Sequence, residues 1–520
     1  MVRRTFLGAG LGAGAAAVLT SCVPENDSHG GVDLLELSLA EVAEGLKTGR
    51  WNSRAIAAWY LDRIAAVDRR GPSLNSVIEL NPRVLEEAAS LDRERREKGP
   101  RSPLHGVPLL LKDNIDTADA MTTTAGSLAL EGWRPPKDAA VASALRAAGA
   151  LFLGKTNLSE WANFRSTHSS SGWSGRGGQT KNPYALDRNP SGSSSGSGAA
   201  VAAGLCAAAV GTETDGSVIS PASINGIVGL KPTLGLLGGA GIIPISHSQD
   251  TAGPMARTIR DAALLLAAMG GRGEYLKSLD PAGLKGARIG IARKFYEKHA
   301  ELDRILTAQV DVLRRCGAEV IDEADMPSHG KWSEPEGVVM RYEFKAGLNA
   351  YLGAQPEGRP VRSLPELIEF NEKNKAREMP WFGQEILVQS EAKGPLTDKA
   401  YLDARRDCLR LSRDEGIDWV LAKHGLDAIV TLSSGPAWFT DWVNGDSGTP
   451  DSTTPAAVAG YPHITVPAAF HRGLPVGLSF FGRAWSEPVL FKLAYAYEQE
   501  TRARRKPGFA AGGASPEKKA

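Results

Sequence analysis

The chain has 520 residues, of which 42% are hydrophobic and 23% charged, and its formal net charge is +1. This composition is typical of a globular protein with a sizeable core, and the near-neutral charge argues against a nucleic-acid partner. The four cysteines form no C-x-x-C pair, and the nine histidines form no H-E-x-x-H motif. We therefore predict no metal site and no cofactor.

The N-terminal residues have the pattern of a bacterial export signal. Arg3 and Arg4 precede a Gly/Ala-rich apolar run that is too short and too weakly hydrophobic to span a membrane comfortably. The paired arginines resemble a twin-arginine signal, and Leu-Thr-Ser-Cys at 19–22 resembles a lipobox. We predict a signal over residues 1–21, lipidation of Cys22 as the only membrane attachment, and a periplasmic or cell-envelope location. An ordinary secretory signal with a chance cysteine is the alternative.

Helix and strand patterns alternate after a polar spacer at 22–34. Ser and Asn caps followed by apolar residues at helical spacing predict helices at 38–49 and 52–68. Short apolar runs predict buried strands at 106–115 and 151–156. The other predicted elements are a strand at 75–82, helices at 83–99 and 139–150, a small-residue helix running into a strand over 198–214, and strands at 286–295, 317–322, 426–432 and 462–470.

This alternation indicates an α/β sandwich around a mostly buried sheet. The region 330–405 is helical and aromatic in pattern, and we interpret it as a lid or a substrate-binding insertion. Because no internal linker is long enough to divide the chain, we predict one domain over 35–503. The Gly-, Ala- and Lys-rich residues 504–520 are expected to be disordered.

Residues 149–156, GALFLGKT, match the phosphate-loop pattern G-x-x-x-x-G-K-[ST]. A phosphate loop needs a preceding strand and free backbone N–H groups between its glycines. Here the preceding residues are helical in pattern, and the residues between the glycines have the pattern of a strand, which would commit those N–H groups to a sheet. We therefore expect no nucleotide site and a structural role for Lys155.

The segment RNPSGSSSGSGAA at 188–200 has the composition of a flexible tether. It also contains Gly-Ser-Ser-Ser-Gly at 192–196, which matches the G-x-S-x-G elbow of serine hydrolases with Ser194 as the nucleophile. The elbow requires a strand directly before its first glycine, and Pro190 is incompatible with one. A tether is disfavoured because an apolar, small-residue run follows without interruption.

Three separated segments together resemble the amidase signature family. They are GVPLLLKDNID around Lys112, the Gly/Ser-rich stretch around Ser193, and GTETDGSVISPASINGIVGLKPT around Ser217. Ser193 and Ser217 are 24 positions apart, which is the separation used in this family. The resemblance spans about residues 70–500, and GTETDGS especially resembles the peptide amidase branch. It implies a three-layer α/β/α sandwich with a large, mixed, twisted central sheet.

The family resemblance also implies catalytic roles. Ser217 would attack the carbonyl carbon, Ser193 (which follows a cis peptide bond in the family) would carry the proton, and Lys112 would be the final base. The oxyanion hole would be formed by four consecutive backbone N–H groups, those of Thr214, Asp215, Gly216 and Ser217. Many family members have glycine where this chain has Asp215, so we expect this carboxyl near the substrate entrance.

A lysine can act as a base only when it is neutral, and the pKa of a free lysine is about 10.4. The apolar residues Val107 and Leu109 to Leu111 precede Lys112 and are expected to desolvate its amine, lowering its pKa to about 7–8. Asp113 would oppose this shift, but strand alternation places neighbouring side chains on opposite faces.

These residues predict an amidohydrolase that cleaves a carboxamide C–N bond through an acyl-enzyme. A small-molecule or peptide amide is the expected partner, and the resemblance favours C-terminal peptide amides with release of ammonia. Ser194, Trp438 and Phe439 are candidates for substrate contacts, although core packing explains the two aromatic residues equally well. The alternatives are other aryl or fatty amides or esters as substrates, or a non-catalytic lipoprotein that binds peptides. The sequence contains no indication of the oligomeric state.

Overall fold

The computed structural model describes residues 33–271, 274–354, 361–447 and 450–512. These residues form thirteen strands: β1 (Val77–Leu80), β2 (Pro108–Lys112), β3 (Leu151–Thr156), β4 (Trp173–Ser174), β5 (Gly178–Gln179), β6 (Ala208–Glu213), β7 (Val228–Lys231), β8 (Thr251–Ala256), β9 (Arg288–Ile291), β10 (Glu319–Ile321), β11 (Ala428–Leu432), β12 (His463–His471) and β13 (Leu474–Phe481). Eleven of them form one sheet in the order β1-β3-β2-β6-β8-β7-β12-β13-β11-β9-β10, while β4 pairs with β5.

The central sheet is mixed. Strand β2 lies parallel to β3 and β6, and β9 lies parallel to β10 and β11, whereas the strands between these two groups pair antiparallel. Every residue of β2, β3 and β6 is buried, as expected for strands covered on both faces. The predicted α/β fold with a large mixed central sheet is therefore confirmed.

Sixteen α-helices accompany these strands in the described residues. They are α1 (Leu39–Lys47), α2 (Ser53–Arg63), α3 (Val84–Lys98), α4 (Ala140–Ala147), α5 (Ser195–Ala202), α6 (Ile219–Ile224), α7 (Ile259–Ala268), α8 (Ala300–Arg315), α9 (Ser333–Gly353), α10 (Leu364–Lys373), α11 (Lys375–Glu378), α12 (Glu385–Glu391), α13 (Lys399–Leu409), α14 (Asp418–His424), α15 (Thr454–Ala459) and α16 (Glu487–Thr501). Helices α9 to α13 confirm the helical pattern of the predicted insertion.

Local sequence explains where several helices begin and end. Ser38 and Glu41 form a capping box at the start of α1, in which each side chain bonds the backbone N–H of the other. The predicted helix at 52–68 begins at its Asn52 cap and continues from α2 into a π-helical turn. The residues of α5, which contains the C-terminal part of the Gly/Ser-rich segment, are all buried, and the helix packs against β6, β2 and β3.

The C-terminal segment corrects the predicted domain boundary. The backbone N–H of Phe509 donates to the carbonyl oxygen of Pro183 at 3.0 Å, and the N–H of Leu186 donates to that of Ala510 at 2.9 Å. Residues 504–512 therefore belong to the folded domain, because their backbone hydrogen bonds tie them to it, and disorder does not begin at 504. At the other end, Leu34 is fully buried, so the domain begins inside the predicted spacer.

The predicted export signal, residues 1–21, and the predicted lipidation site, Cys22, lie outside the described residues. Among the helices that are described, none combines the length and apolar character needed to cross a bilayer. The three cysteines within the described ranges are free thiols: Cys206, Cys316 and Cys408.

Candidate active site

Lys112 is the last residue of β2, and its amine is buried against the Gly/Ser-rich segment. Lys112 Nζ lies 2.7 Å from Ser193 Oγ, 2.9 Å from the hydroxyl of Thr212 and 3.2 Å from the carbonyl oxygen of Thr212. Thr212 belongs to β6, so the parallel pairing of β2 with β6 positions the amine. Both Lys112 and Ser193 are 0% exposed.

Burial lowers the pKa of Lys112 to about 7, although the nearby carboxyl groups of Glu213 and Asp250 oppose the shift. The predicted apolar flank accounts for this burial, since all four of its side chains are inaccessible: Val107, Leu109, Leu110 and Leu111. A lysine with this pKa is substantially neutral at neutral pH, so it can accept a proton.

Asp113 faces away from Lys112, as strand alternation predicts. The hydroxyl of Thr124 donates to Asp113 Oδ2, and Nη1 of Arg176 lies 3.6 Å from the same oxygen. These partners hold the carboxyl group on the other side of β2, so Asp113 does not keep the lysine charged.

Backbone contacts hold the chain on both sides of Ser193. The peptide bond between Gly192 and Ser193 is cis. The N–H of Ser159 donates to the carbonyl oxygen of Ser193 at 3.1 Å, and the N–H of Ser194 donates to that of Ser217 at 3.1 Å. Ser193 therefore lies between the buried amine and the turn that contains Ser217.

Ser217 lies in the turn that connects β6 to α6. It is 8% exposed, whereas Lys112 and Ser193 are wholly buried, so Ser217 is the residue of the three that a substrate can reach. The turn requires glycine at position 216, because the φ of Gly216 is 75° and an added Cβ would lie 2.9 Å from Thr453 Oγ1.

Glu213 fixes the chain directly after Ser217, and sequence analysis missed this residue. Its Oε2 accepts hydrogen bonds from the backbone N–H groups of Val218 at 2.7 Å and Ile219 at 2.9 Å. Burial raises the pKa of Glu213, and Lys231 opposes that shift. A carboxyl group at the end of a buried strand and just before a nucleophile turn is the signal that could have identified it.

A cluster of three carboxyl groups also adjoins the turn: that of Glu336 is buried, that of Asp215 half-buried, and that of Asp451 belongs to an exposed residue. The hydroxyl of Thr454 donates to Asp215 Oδ2 at 2.8 Å, and the side-chain amide of Gln249 donates to Glu336 Oε1 at 2.8 Å. Burial and the neighbouring Asp215 hold the pKa of Glu336 well above its usual range. Sequence analysis missed this cluster because its members are more than 100 positions apart in the chain.

Comparison with known proteins identifies the family. The profile of the family described as Amidase matches residues 55–491. The chain belongs to the amidase signature family. A probable amidase of Arabidopsis thaliana is 41% identical over an alignment that covers 92% of both chains.

Solved amidase structures share the whole fold. A complex of the peptide amidase PAM with the competitive inhibitor chymostatin is 52% identical, has a TM-score of 0.88, and is matched over 91% of this chain and 99% of that chain. The native peptide amidase of Stenotrophomonas maltophilia is 51% identical, with a TM-score of 0.87 and the same coverage. The predicted family and the predicted enzyme class, an amidase, are thus confirmed.

The predicted oxyanion-hole residues of this amidase all lie in the turn after β6. Within the described part of the chain, the backbone N–H groups of Thr214, Asp215 and Ser217 form no hydrogen bond to another protein group. The N–H of Gly216 instead interacts with the Glu213 carboxyl group, where it opposes the rise that burial causes in the pKa of Glu213. Three of the four predicted donors therefore have no competing partner among the described residues, and the oxyanion hole stays a prediction.

Ser194 has a different environment from the one expected. Its side chain is 0% exposed, its hydroxyl donates to the carbonyl oxygen of Thr212 at 3.1 Å, and it accepts from the N–H of Thr212 at 3.2 Å. Because both bonds are made to the backbone of β6, the Ser194 hydroxyl is structural, which corrects the predicted substrate contact.

Lys155 in β3 has a structural role, as predicted. Its side chain is fully buried and donates to the carbonyl oxygen of Ile115 at 2.6 Å and to the hydroxyl of Thr123 at 2.8 Å.

Trp438 and Phe439 line a surface cavity of about 360 Å³. Phe439 is 56% exposed, so core packing does not explain it.

Replacing Gly216 by alanine is expected to destabilise the amidase by about 1–2 kcal/mol, because φ is positive and the new Cβ would press on Thr453. We also expect kcat to fall at least about tenfold, because the turn that holds Ser217 must shift. Urea unfolding and ammonia release measure the two effects. Gly239→Ala is the matched control, since Gly239 is exposed and an added Cβ there meets no atom within 4 Å. Unchanged stability and rate in Gly216→Ala would contradict the role of this turn.

Proposed function

We propose that this amidase hydrolyses the C-terminal carboxamide of peptides and releases ammonia, with Ser217 as nucleophile, Ser193 as proton carrier and Lys112 as base. The observation that carries the proposal is the contact of 2.7 Å between Lys112 Nζ and Ser193 Oγ, made by a lysine whose pKa burial lowers to about 7. The peptide substrate is supported by the 52% identity with PAM, which binds chymostatin.

The reaction begins with two linked proton transfers. Neutral Lys112 accepts the proton of Ser193 while Ser193 accepts that of Ser217, and Ser217 Oγ bonds to the amide carbon. Free backbone N–H groups of the nucleophile turn bind the oxygen that becomes negative, and one such donor contributes about 3–4 kcal/mol to transition-state stabilisation.

Collapse of this intermediate breaks the C–N bond and leaves an acyl-enzyme. The proton held by Lys112 returns through Ser193 to the departing nitrogen, which leaves as ammonia. Water, deprotonated through the same pair, then attacks the ester carbon and releases the peptide carboxylate with Ser217 restored.

The substrate class is tested with a panel of amides of matched concentration. Ammonia release is measured for amidated peptides, for an aryl amide and for a fatty amide, and the same peptides with a free carboxylate serve as the blank. We expect kcat/KM for the peptide amides to exceed that for the other two classes by about 100-fold, because binding energy of the peptide is available to the transition state. Preferred hydrolysis of the aryl or fatty amide would overturn the peptide assignment and leave the amidase chemistry intact.

We also propose that the protein is exported and lipidated at Cys22, in a bacterial periplasm or cell envelope. The support is the sequence pattern alone: paired Arg3 and Arg4, the apolar run, and a lipobox ending at Cys22. Metabolic labelling with an alkyne fatty acid should label the wild type and fail to label Cys22→Ser. Equal labelling of both proteins, or none in the wild type, would refute the lipid anchor.

A further inference from the structure

Four large apolar side chains are exposed together near the Gly/Ser-rich segment. This aromatic patch consists of Trp381, Phe439, Trp442 and Val443, with exposed fractions of 45%, 56%, 40% and 76%. The rings of Trp381 and Trp442 stack with their centroids 4.9 Å apart and their planes at 22°. Stacking joins the segment between α11 and α12 to the loop after β11. Exposed apolar side chains grouped on two neighbouring loops are typical of a binding site.

A cavity of about 360 Å³ opens beside the patch and provides polar partners. Its lining includes Trp438, Asp441, Asn444 and Asp446. The indole N–H of Trp438 donates to Asp446 Oδ1 at 3.1 Å, which fixes one aromatic wall. Apolar walls with a few fixed polar groups are typical of sites that bind organic ligands.

Hydrogen bonds connect the aromatic patch to the catalytic segment. The indole N–H of Trp442 donates to Gln179 Oε1 at 2.9 Å, and the side-chain amide of Gln179 donates to the carbonyl oxygen of Ser171 at 2.8 Å. The side-chain amide of Asn189 donates to the same carbonyl oxygen of Ser171 at 2.9 Å, and its backbone N–H donates to the carbonyl oxygen of Trp438 at 2.8 Å. Asn189 precedes Ser193 by four positions, and four extended residues span at most about 14 Å. The two residues are therefore at most about 14 Å apart, and an extended peptide of four to five residues is long enough to span that separation.

The charge of the patch suits an amidated peptide, which is positive at its amino terminus and neutral at its amidated end. Hydrogen bonds from Asn444 and the backbone of Val443 lower the pKa of Asp441, so this surface carboxylate is ionised at neutral pH. Among the described residues that line the cavity, Arg188 carries the one guanidinium. It stacks 3.5 Å from the ring centroid of Phe439 and lies 3.9 Å from a carboxylate oxygen of Asp187.

We propose that the aromatic patch is a subsite for the residues that precede the carboxamide in a peptide substrate. Apolar side chains of the peptide pack on Trp381 and Trp442, and the terminal amine lies near Asp441. The inference rests on the proposed function, since it requires a peptide amide to occupy the active site. It predicts a preference for peptides of four to five residues with apolar side chains.

The test compares an apolar dipeptide amide with an apolar pentapeptide amide. For the wild type we expect kcat/KM to be about tenfold higher for the longer amide, because the added residues reach the patch. Trp442→Ala and Trp381→Ala should remove this advantage, lowering kcat/KM for the pentapeptide amide about tenfold more than that for the dipeptide amide. Trp419→Ala is the matched control: Trp419 is 38% exposed on α14, which precedes β11, whereas the loop of Trp442 follows β11, and the variant should keep the tenfold ratio.

The amine contact is tested separately by acetylating the pentapeptide amide and by Asp441→Asn. Each change alone should lower kcat/KM for the longer amide about threefold, and both together should lower it no further. A wild type that hydrolyses both amides equally well would overturn the subsite while the proposed function stands. Hydrolysis of neither amide would overturn the proposed function and the subsite together. Equal losses on the two amides in Trp442→Ala would show a structural effect and also overturn the subsite.

Discussion

Replacing Ser217 by alanine is expected to lower kcat for a peptide amide by roughly a millionfold, to the limit of detection. The physical reason is that the neighbouring hydroxyls cannot substitute for it. Ser193 is fully buried and bonded to Lys112, and the hydroxyl of Ser194 is bonded to the backbone of β6. Ammonia release at high enzyme concentration measures the residual rate.

Ser220→Ala provides the matched control for this experiment. Ser220 lies one helical turn after the nucleophile, and its hydroxyl lies 2.9 Å from that of Ser191. We expect this variant to retain most of the activity and to react with a fluorophosphonate probe, and we expect Ser217→Ala not to react. Wild-type turnover by Ser217→Ala, or a probe adduct on a different residue, would discard the proposed mechanism. An inert wild type would support the non-catalytic alternative.

Replacing Lys112 by alanine is expected to lower kcat about ten-thousandfold, because Ser193 then has no base to receive its proton. Lys112→Arg should be equally inactive, since a guanidinium remains protonated at every usable pH. Thermal unfolding should show both proteins to be folded. Restoration of activity by arginine would mean that position 112 supplies a positive charge and not a base.

The wild type should lose activity as the pH falls through about 7. Burial lowers the pKa of Lys112 from 10.5 to about 7, so the amine is neutral and active above that value and protonated and inactive below it. The logarithm of kcat/KM, which reports on the free enzyme, should therefore rise with pH with unit slope and level off above about pH 8. A rate that stays constant down to pH 4 would exclude a lysine base.

Lys155→Met is the matched control for the pH profile. Lys155 is also fully buried and lies on β3, next to β2, but its amine donates to Ile115 and Thr123. Its replacement should lower stability, because it leaves buried acceptors unpaired, and should leave the acid limb near pH 7. If the acid limb shifted to another pH in Lys155→Met, the titrating group would be Lys155, and the assignment to Lys112 would be wrong.

Local patterns predicted the elements with strong periodicity. The apolar runs at 106–115 and 151–156 became β2 and β3, because strands buried on both faces are apolar throughout. Strands β7 and β8 escaped prediction, since VGLK and TAGPMA combine glycine or proline with few β-branched residues. Both strands form because neighbours in the sheet pair with them, which no local pattern records.

The candidate site divides in the same way. Lys112, Ser193 and Ser217 could be selected from the sequence because three separate segments resemble the family's motifs and have the spacing found in the family. The apolar flank predicted that the Lys112 amine is desolvated. Its pKa of about 7 also depends on the carboxyl groups of Glu213 and Asp250, which the flank does not reveal. Ser194 was misassigned because two adjacent serines of one loop point to different environments once the chain is folded.

The sequence by itself determined the family, the alternation of helices and strands and the three chemical groups, since each depends on residues that are neighbours in the chain or have a recognisable spacing. Only the tertiary structure decided the carboxyl cluster of Asp215, Glu336 and Asp451, the patch around Trp442, and the docking of residues 504–512. These features join distant parts of the chain, and their energies come from burial and pairing that exist only after the sheet and its helical insertion have packed together.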